Sequence, residues 1–377
     1  MERAVALSRR PHPAAVAQEV VVGPGAATAC LILAGATATY AIAAGFHAYI
    51  GIRRRYVDRW SAVVATAALF ALAYAILRWG PAQIPAPLSP ALLAVLVAAA
   101  IAVPLFTAWG VQAQLDRWGE RMPRWLRWRM PDMSHEDRRK GPHLLMGLFV
   151  LQFPILGHLI LAAIAALGPA SAPAGEGWGN ILALSDGRWF AAGQAVAIWL
   201  LLLLVYVLTP VELLRLRFPA HGYPFKRIIE PRLRERERGL FGAHLDISIG
   251  VALAVLFLGR DPDLWPVTVP AAMAVVAVTV FADAASALFG IRWGRRRWFH
   301  NPGKSYVGTL GGAVVALACC IPLVGVLPGI LAALLFVAID AVAPRPLPVS
   351  DNLLNPLGLA ILFWALRDWL QPAFALP

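Results

Sequence analysis

The sequence is poor in charge: only 14% of its 377 residues are Asp, Glu, Lys or Arg, whereas a soluble domain carries about 25%. With 59% hydrophobic residues, this excludes a disordered chain and argues against a soluble enzyme. Cysteine is scarce too. Cys30, Cys319 and Cys320 all fall in apolar runs, which argues against a disulfide framework and a thiolate zinc site. Lysine is almost absent. Of 33 basic residues only Lys140, Lys226 and Lys304 are not arginine, so generic positive charge here is supplied by Arg. Acids number 21, leaving a formal net charge of +12. In a soluble protein that balance would suggest nucleic acid. In so apolar a chain it serves orientation and acidic partners such as lipid headgroups or nucleotides, and no nucleic-acid partner is expected. The N-terminus lacks a compact apolar stretch ending in a cleavage site, so residues 1–22 read as a tail before a retained first span.

What the chain does have is uncharged stretches long enough to cross a membrane as helices, where about 20 residues suffice. Ten are expected, over 24–51, 61–78, 90–111, 143–168, 190–212, 243–259, 265–288, 308–325, 327–343 and 353–371. Residues 305–339 carry no charge at all. As one helix they would run about 52 Å, against a hydrocarbon core of about 30 Å, so they must turn, and Gly325, Pro328 and Gly329 offer the place. The alternate loops 53–59, 113–142, 213–242, 290–307 and 344–352 hold 4, 8, 8, 5 and 1 Lys or Arg, while the other loops hold only Arg78, Arg188 and Arg260. By the positive-inside rule the first set is cytoplasmic, and ten spans then put both termini on the non-cytoplasmic side. The expected fold is therefore an all-α, polytopic integral membrane protein. It falls into an N-terminal three-span region, 1–133, and a seven-span region, 134–377. The first region shows no chemistry. Its segment 116–131 interleaves Arg with Trp118, Trp125 and Trp128, the composition of a helix lying at the membrane surface.

Polar residues that interrupt this background carry the functional reading. The loop 290–309 holds five cations and no acid, and includes Gly303-Lys304-Ser305 followed by Gly308-Thr309. It is not a Walker A motif: Trp298 stands where the first glycine is needed, and an apolar helix rather than a strand precedes it. A Gly-rich turn with Lys, Ser and Thr at a helix N-terminus can still cradle phosphate. Asp283 lies inside the seventh span, with Ser286 one turn on and on the same face. Asp340 closes the ninth span, and Asp351-Asn352 open the tenth. An acid in a membrane span is costly and normally pairs or binds an ion. Hard oxygen ligands at one membrane level beside a basic, Gly-rich loop suit a Mg²⁺–polyphosphate site. Two further charged groups open spans: Arg138-Arg139-Lys140 with His143 before the fourth, and Arg234 to Arg238 with Glu237 before the sixth.

The ordered set Arg139-Lys140-x-x-His143 with Gly147, Arg234-x-x-Glu237 with Gly242, Asp283-Ala-x-Ser286 with Gly290 and Gly294, Lys304-Ser305-x-x-Gly308-Thr309 and Asp351-Asn352-Leu353 with Pro356 resembles the dolichol kinase, phytol kinase and CTP-dependent diacylglycerol kinase group. The resemblance covers roughly residues 134–375. Ala282 departs from it, since many relatives have Gly before the Asp. It implies transfer of the γ-phosphoryl of CTP to a membrane lipid alcohol with Mg²⁺ or Mn²⁺, in a cell membrane such as the bacterial inner membrane, with the active site cytoplasmic. Asp283 and Asp351 are then the expected metal ligands, and Asp283, Lys304, Asp340 and Asp351 the catalytic set, with Asp340 or Asp351 as base. Arg139, Lys140, His143, Gly303, Ser305, Gly308, Thr309 and Asn352 are expected to meet nucleotide or phosphate. No role is assigned to His244 or Asp246, and His158 reads as a hydrogen-bonded core residue. The related phosphatidate cytidylyltransferases end in a His-Gly-Gly-x-x-Asp-Arg-x-Asp-like pattern that is absent here. A CDP-lipid synthase, a transporter and a non-catalytic lipid-binding relative stay open as alternatives.

The loop charges generate a direct test. Cysteine placed at position 297 should react with a membrane-impermeant maleimide only after cells are permeabilised. Labelling in intact cells, with a cytoplasmic control silent, would reverse the orientation.

Overall fold

A computed structural model describes residues 24–54, 59–83, 189–218, 241–345 and 349–370. These are mostly helical, with no strand among the described residues. The helices are α1 (Pro24–Arg54), α2 (Arg59–Trp79), α3 (Trp189–Arg217), α4 (Ala243–Leu258), α5 (Trp265–Ala277), α6 (Asp283–Trp293), α7 (Tyr306–Val324), α8 (Val326–Val342) and α9 (Asp351–Ala365). A π-helical turn, Val278–Ala282, joins α5 to α6, so that Trp265–Trp293 is one continuous rod. Among the described residues, five segments are long and apolar enough to cross a membrane: Ala26–Ile50, Trp60–Ala82, Ala197–Arg217, Trp265–Trp293 and Tyr306–Val324. The shorter α4 and α8 are apolar as well. The expected spans 90–111 and 143–168 lie outside the described residues, as does the interfacial segment 116–131.

Beyond Ser248 helix α4 is apolar on every side, and it is buried along almost its whole length, as a central helix must be. Around it stand α2, α3, α5 and α9. Gly250 sets the closest approach: a Cβ there would lie 2.7 Å from Pro356 Cγ and 3.2 Å from Asn352 O on α9. Helices α1 and α2 share this core with the later helices. Tyr206 on α3 donates to Leu33 O on α1 (2.9 Å), and Tyr40 on α1 donates to Tyr206 O (2.9 Å). The outer faces of α1, α2, α7 and α8 expose large apolar residues, among them Leu31, Phe46, Phe70, Leu310, Val314 and Leu334. Hydrocarbon is the solvent such faces suit.

The uncharged stretch 305–339 turns at Gly325, whose φ of 94° suits glycine. Pro328 and Gly329 fall in the first turn of α8, where a proline's missing N–H costs nothing. The resulting α7–α8 hairpin packs on α6 through small residues. A Cβ on Gly312 would meet Phe336 Cε1 at 2.5 Å and Ala282 O at 2.9 Å; one on Gly308 would meet Ser286 O at 2.5 Å. This is small-residue packing of the kind apolar helices use to bring backbones together.

Gly312→Ala should therefore lower stability by roughly 1–3 kcal/mol through overpacking. Gly35→Ala, whose added Cβ meets nothing within 4 Å, should be neutral or slightly stabilising. Thermal unfolding of both variants in the same detergent checks the contrast, and equal melting temperatures would remove Gly312 from the contact.

Candidate active site

The site is built at the end of the bundle where α6 stops, α7 starts, α8 stops and α9 starts. The loop 294–305 between α6 and α7 folds back on itself. Trp298 N donates to Lys304 O (3.1 Å), Tyr306 N to Arg296 O (3.2 Å) and Lys304 N to Asn301 O (3.0 Å). Asn301, buried, caps the end of α8: its Nδ2 donates to Ala341 O (3.1 Å) and Ala343 O (2.9 Å), while His300 Nε2 lies 3.1 Å from Ala341 O. Carbonyls that end a helix without partners are thus satisfied by the loop. The fold of the loop leaves Arg292, Arg295, Arg296 and Arg297 exposed and turns Lys304 inward.

Lys304 Nζ donates to Asp340 Oδ1 (2.5 Å) and to Asp351 Oδ2 (2.6 Å). Its side chain is 18% exposed, against 1% for Asp340 and 15% for Asp351. Burial alone would lower the Lys304 pKa, but the carboxylates of Asp351, Asp340 and Asp283 outweigh it and hold the ammonium well above the ordinary lysine range. Lys304 is thus a cation at every physiological pH. Asp340 is saturated, because its Oδ2 accepts from Ser286 Oγ (3.1 Å) and Thr309 Oγ1 (2.6 Å). Thr309 Oγ1 accepts in turn from Trp298 Nε1 (3.1 Å). One acid on α8 therefore ties α6, α7 and the basic loop together. Asp283 is buried on α6 directly after the π-helical turn. Among the described residues no group of three or more His, Cys, Asp or Glu is arranged to hold a metal ion. Mg²⁺, however, commonly binds to proteins through one or two carboxylates plus water and phosphate. Asn352 Oδ1 and Asn355 Oδ1, buried and without a hydrogen-bond partner, add hard oxygen atoms close in sequence to Asp351. The donor set suits a hard cation.

The structure brings Asp283, Ser286, Lys304, Ser305, Thr309, Asp340, Asp351 and Asn352 to one end of the bundle. Three of the N–H groups expected to cradle phosphate at the start of α7 are engaged by the chain itself. Ser305 caps α7 by accepting from Gly308 N (3.1 Å), and the N–H groups of Tyr306 and Thr309 donate to Arg296 O and Ser305 O. Gly308 is needed where α7 meets Ser286 O and Gly290. Gly303 is exposed, and a Cβ there would meet only Asn301 Oδ1, at 3.5 Å. Arg139, Lys140, His143, Arg234 and Glu237 lie outside the described residues.

Sequence reasoning missed a second polar cluster beside the first. Glu212, fully buried on α3, pairs with Arg215 Nη2 (2.7 Å) and His244 Nε2 (3.0 Å), and accepts from Gly242 N (2.7 Å). Asp246 on α4 is hydrogen-bonded to Ser350. Ser350 Oγ also accepts from Asn352 N (3.3 Å), capping α9. Asp246 and Ser350 thus fix the start of the helix that carries Asp351. The signal was an acid at the end of an apolar span, the same one that marked Asp283.

The unequal engagement of the two carboxylates predicts unequal losses. Asp340→Asn leaves Lys304, Ser286 and Thr309 poorly matched and should cost about 3 kcal/mol of stability, in the range for breaking a buried pair. Asp351→Asn, at a more exposed partner, should cost about 1 kcal/mol. Because the Lys304 pKa is raised, its pairing contributes fully below the ordinary value of 10.5 and fades only as pH climbs beyond it. Both losses should therefore hold level from pH 6 to 9 in thermal melts, and equal losses would deny Asp340 its central place. Compared with known proteins, the chain matches no family model, no curated protein and no solved structure.

Proposed function

We propose that the chain is a CTP-dependent kinase of a membrane lipid alcohol, of the polyprenol, phytol or diacylglycerol kind. In this reading it crosses the membrane about ten times, with both termini on the non-cytoplasmic side and the site at the cytoplasmic face. The observation that carries the reading is the Lys304 ammonium seated between Asp340 and Asp351, with Asp283 bearing on it, at the arginine-rich end of an apolar bundle. Three acids and one lysine are an expensive arrangement for a membrane protein. Phosphoryl transfer is a reaction that uses them, because it asks the protein mostly for positioning and charge neutralisation.

In the proposed reaction the lipid hydroxyl oxygen attacks the γ-phosphorus of CTP. The bond from that phosphorus to the bridging oxygen breaks, CDP leaves, and the hydroxyl proton passes to a carboxylate. Asp351 suits the base role better than Asp340, whose two oxygens are already engaged by Lys304, Ser286 and Thr309. Asp340 positions Lys304. A divalent cation held by Asp283, with the Asn352 oxygen at hand, would neutralise phosphate charge and leave Asp351 for the proton. Lys304 meets one phosphate oxygen as a compact point charge. The exposed arginines of 292–297 draw the polyanion in from solution. The apolar helix faces take the lipid tail.

Purified protein given Mg²⁺ and labelled CTP should convert a lipid alcohol to its monophosphate and release CDP. Pyrophosphate with a CDP-lipid would mean a cytidylyltransferase instead, and no turnover across a panel of lipid alcohols would sink the enzyme reading. Asp283→Asn should abolish turnover while the protein stays folded in detergent. Lys304→Arg keeps the charge but replaces a point donor by a planar fork. Loss of a charged hydrogen bond, about 1.5–3 kcal/mol, should lower kcat/KM for CTP roughly 10- to 150-fold. Equal values in wild type and Lys304→Arg would leave Lys304 only a topological charge.

A further inference from the structure

The opposite end of the bundle carries a second feature. There the C-terminal ends of α2, α4 and α9 converge. Trp79, Phe257 and Trp364 meet edge to face, with centroids 5.5 Å and 5.8 Å apart. The Arg260 guanidinium lies over two of these rings, 3.5 Å from the centroid of Trp364 and 4.0 Å from that of Phe257. Arg367 approaches Trp364 from a third direction, 5.4 Å from its centroid, and donates to Trp364 O (3.3 Å). Beside this stack opens a cleft of about 440 Å³ lined by Arg78, Trp79, Arg260, Asp261 and Trp364, a size common among small-ligand sites.

Three properties of the cleft narrow its ligand. First, among the described residues neither Arg78 nor Arg260 has a carboxylate within 4.0 Å or a hydrogen-bond acceptor. A guanidinium stacked on aromatic rings keeps its N–H edge oriented for a planar, two-oxygen acceptor, which phosphate supplies. Burial, and then the neighbouring charge of Arg367, pull the Arg260 pKa down against the opposing pull of Asp261. Second, tryptophans at the ends of apolar helices mark headgroup depth, so the cleft opens where lipid phosphates lie. Third, the lining includes one acid, Asp261, held in place by accepting from Asp263 N (3.2 Å). A purely anionic headgroup would meet that carboxylate unfavourably, whereas a headgroup bearing a primary ammonium would pair with it.

We propose that this cleft seats the headgroup of a zwitterionic aminophospholipid, the phosphate on Arg78 and Arg260 and the ammonium on Asp261. The lipid would clamp α2, α4 and α9 at the end of the bundle far from Lys304, independently of any turnover there.

Native mass spectrometry of the full chain, delipidated and then given equal amounts of phosphatidylethanolamine, phosphatidylcholine and phosphatidylglycerol with matched chains, tests this. The wild type should retain phosphatidylethanolamine above the other two. Arg260→Gln should retain all three about tenfold less, the effect of about 1.4 kcal/mol. Arg78→Gln, at an exposed position, gives the same readout if the first variant does not fold. Asp261→Asn should erase the preference over phosphatidylglycerol while keeping retention. Three results would each overturn the proposal: equal retention in wild type and both arginine variants, a wild-type preference for phosphatidylglycerol, or displacement of the lipid by millimolar inorganic phosphate.

Discussion

Everything at the basic end of this bundle hangs on one half-buried ammonium. Lys304 closes the gap between the end of α8 and the start of α9, two helix termini that each present a carboxylate. Without it, Asp283, Asp340 and Asp351 would repel one another in a poorly hydrated place, and uncompensated charge at that depth is expensive. The cation also explains the loop's shape. For Lys304 to reach inward, 294–305 must double back, and it does so by lending Asn301 and His300 to the bare carbonyls of α8. Electrostatics and helix capping thus make the same demand of the chain.

Asp340 shows how the network spreads that demand. Its second oxygen gathers Ser286 from α6 and Thr309 from α7, so three helices and a loop converge on one carboxylate. Such a hub is rigid because no member can move without stranding another polar group. Asp351, half free of these ties, sits on a helix whose start is fixed separately by Ser350 and Asp246. A fixed acid and a less constrained one thus stand on either side of the same lysine.

Much of this was legible in the sequence, for identifiable reasons. The turn at Gly325 followed from length alone: 35 uncharged residues cannot cross a membrane once. Asp283 and Ser286 shared a face by helical spacing, and Asp340 and Asp351 were visible as acids where apolar runs end. Not legible was what Ser305, Gly308 and Thr309 do. Their motif suggests phosphate, but a cap, a close helix contact and a carboxylate partner use the same residue types at the same spacing. Glu212 and His244 escaped because their partnership spans 32 residues of chain and no local pattern announces it. The aromatic–arginine stack of Phe257, Arg260 and Trp364 was hidden likewise, since α4 and α9 meet only in the folded bundle. The helix of the seventh span runs on to Trp293, past the expected end at 288.

The π-helical turn Val278–Ala282 stands immediately before Asp283. Such a turn carries one residue more than an α-helix needs. Winding it tighter into regular helix with every residue kept would swing each side chain beyond by about 100° relative to the part before, taking Asp283 and Ser286 off the face that meets Asp340. The extra residue acts as a phase shifter. One register, set by the core, governs Trp265 to Ala277, and another, set by the charged end, governs Asp283 to Trp293, so each half of the rod answers to its own neighbours.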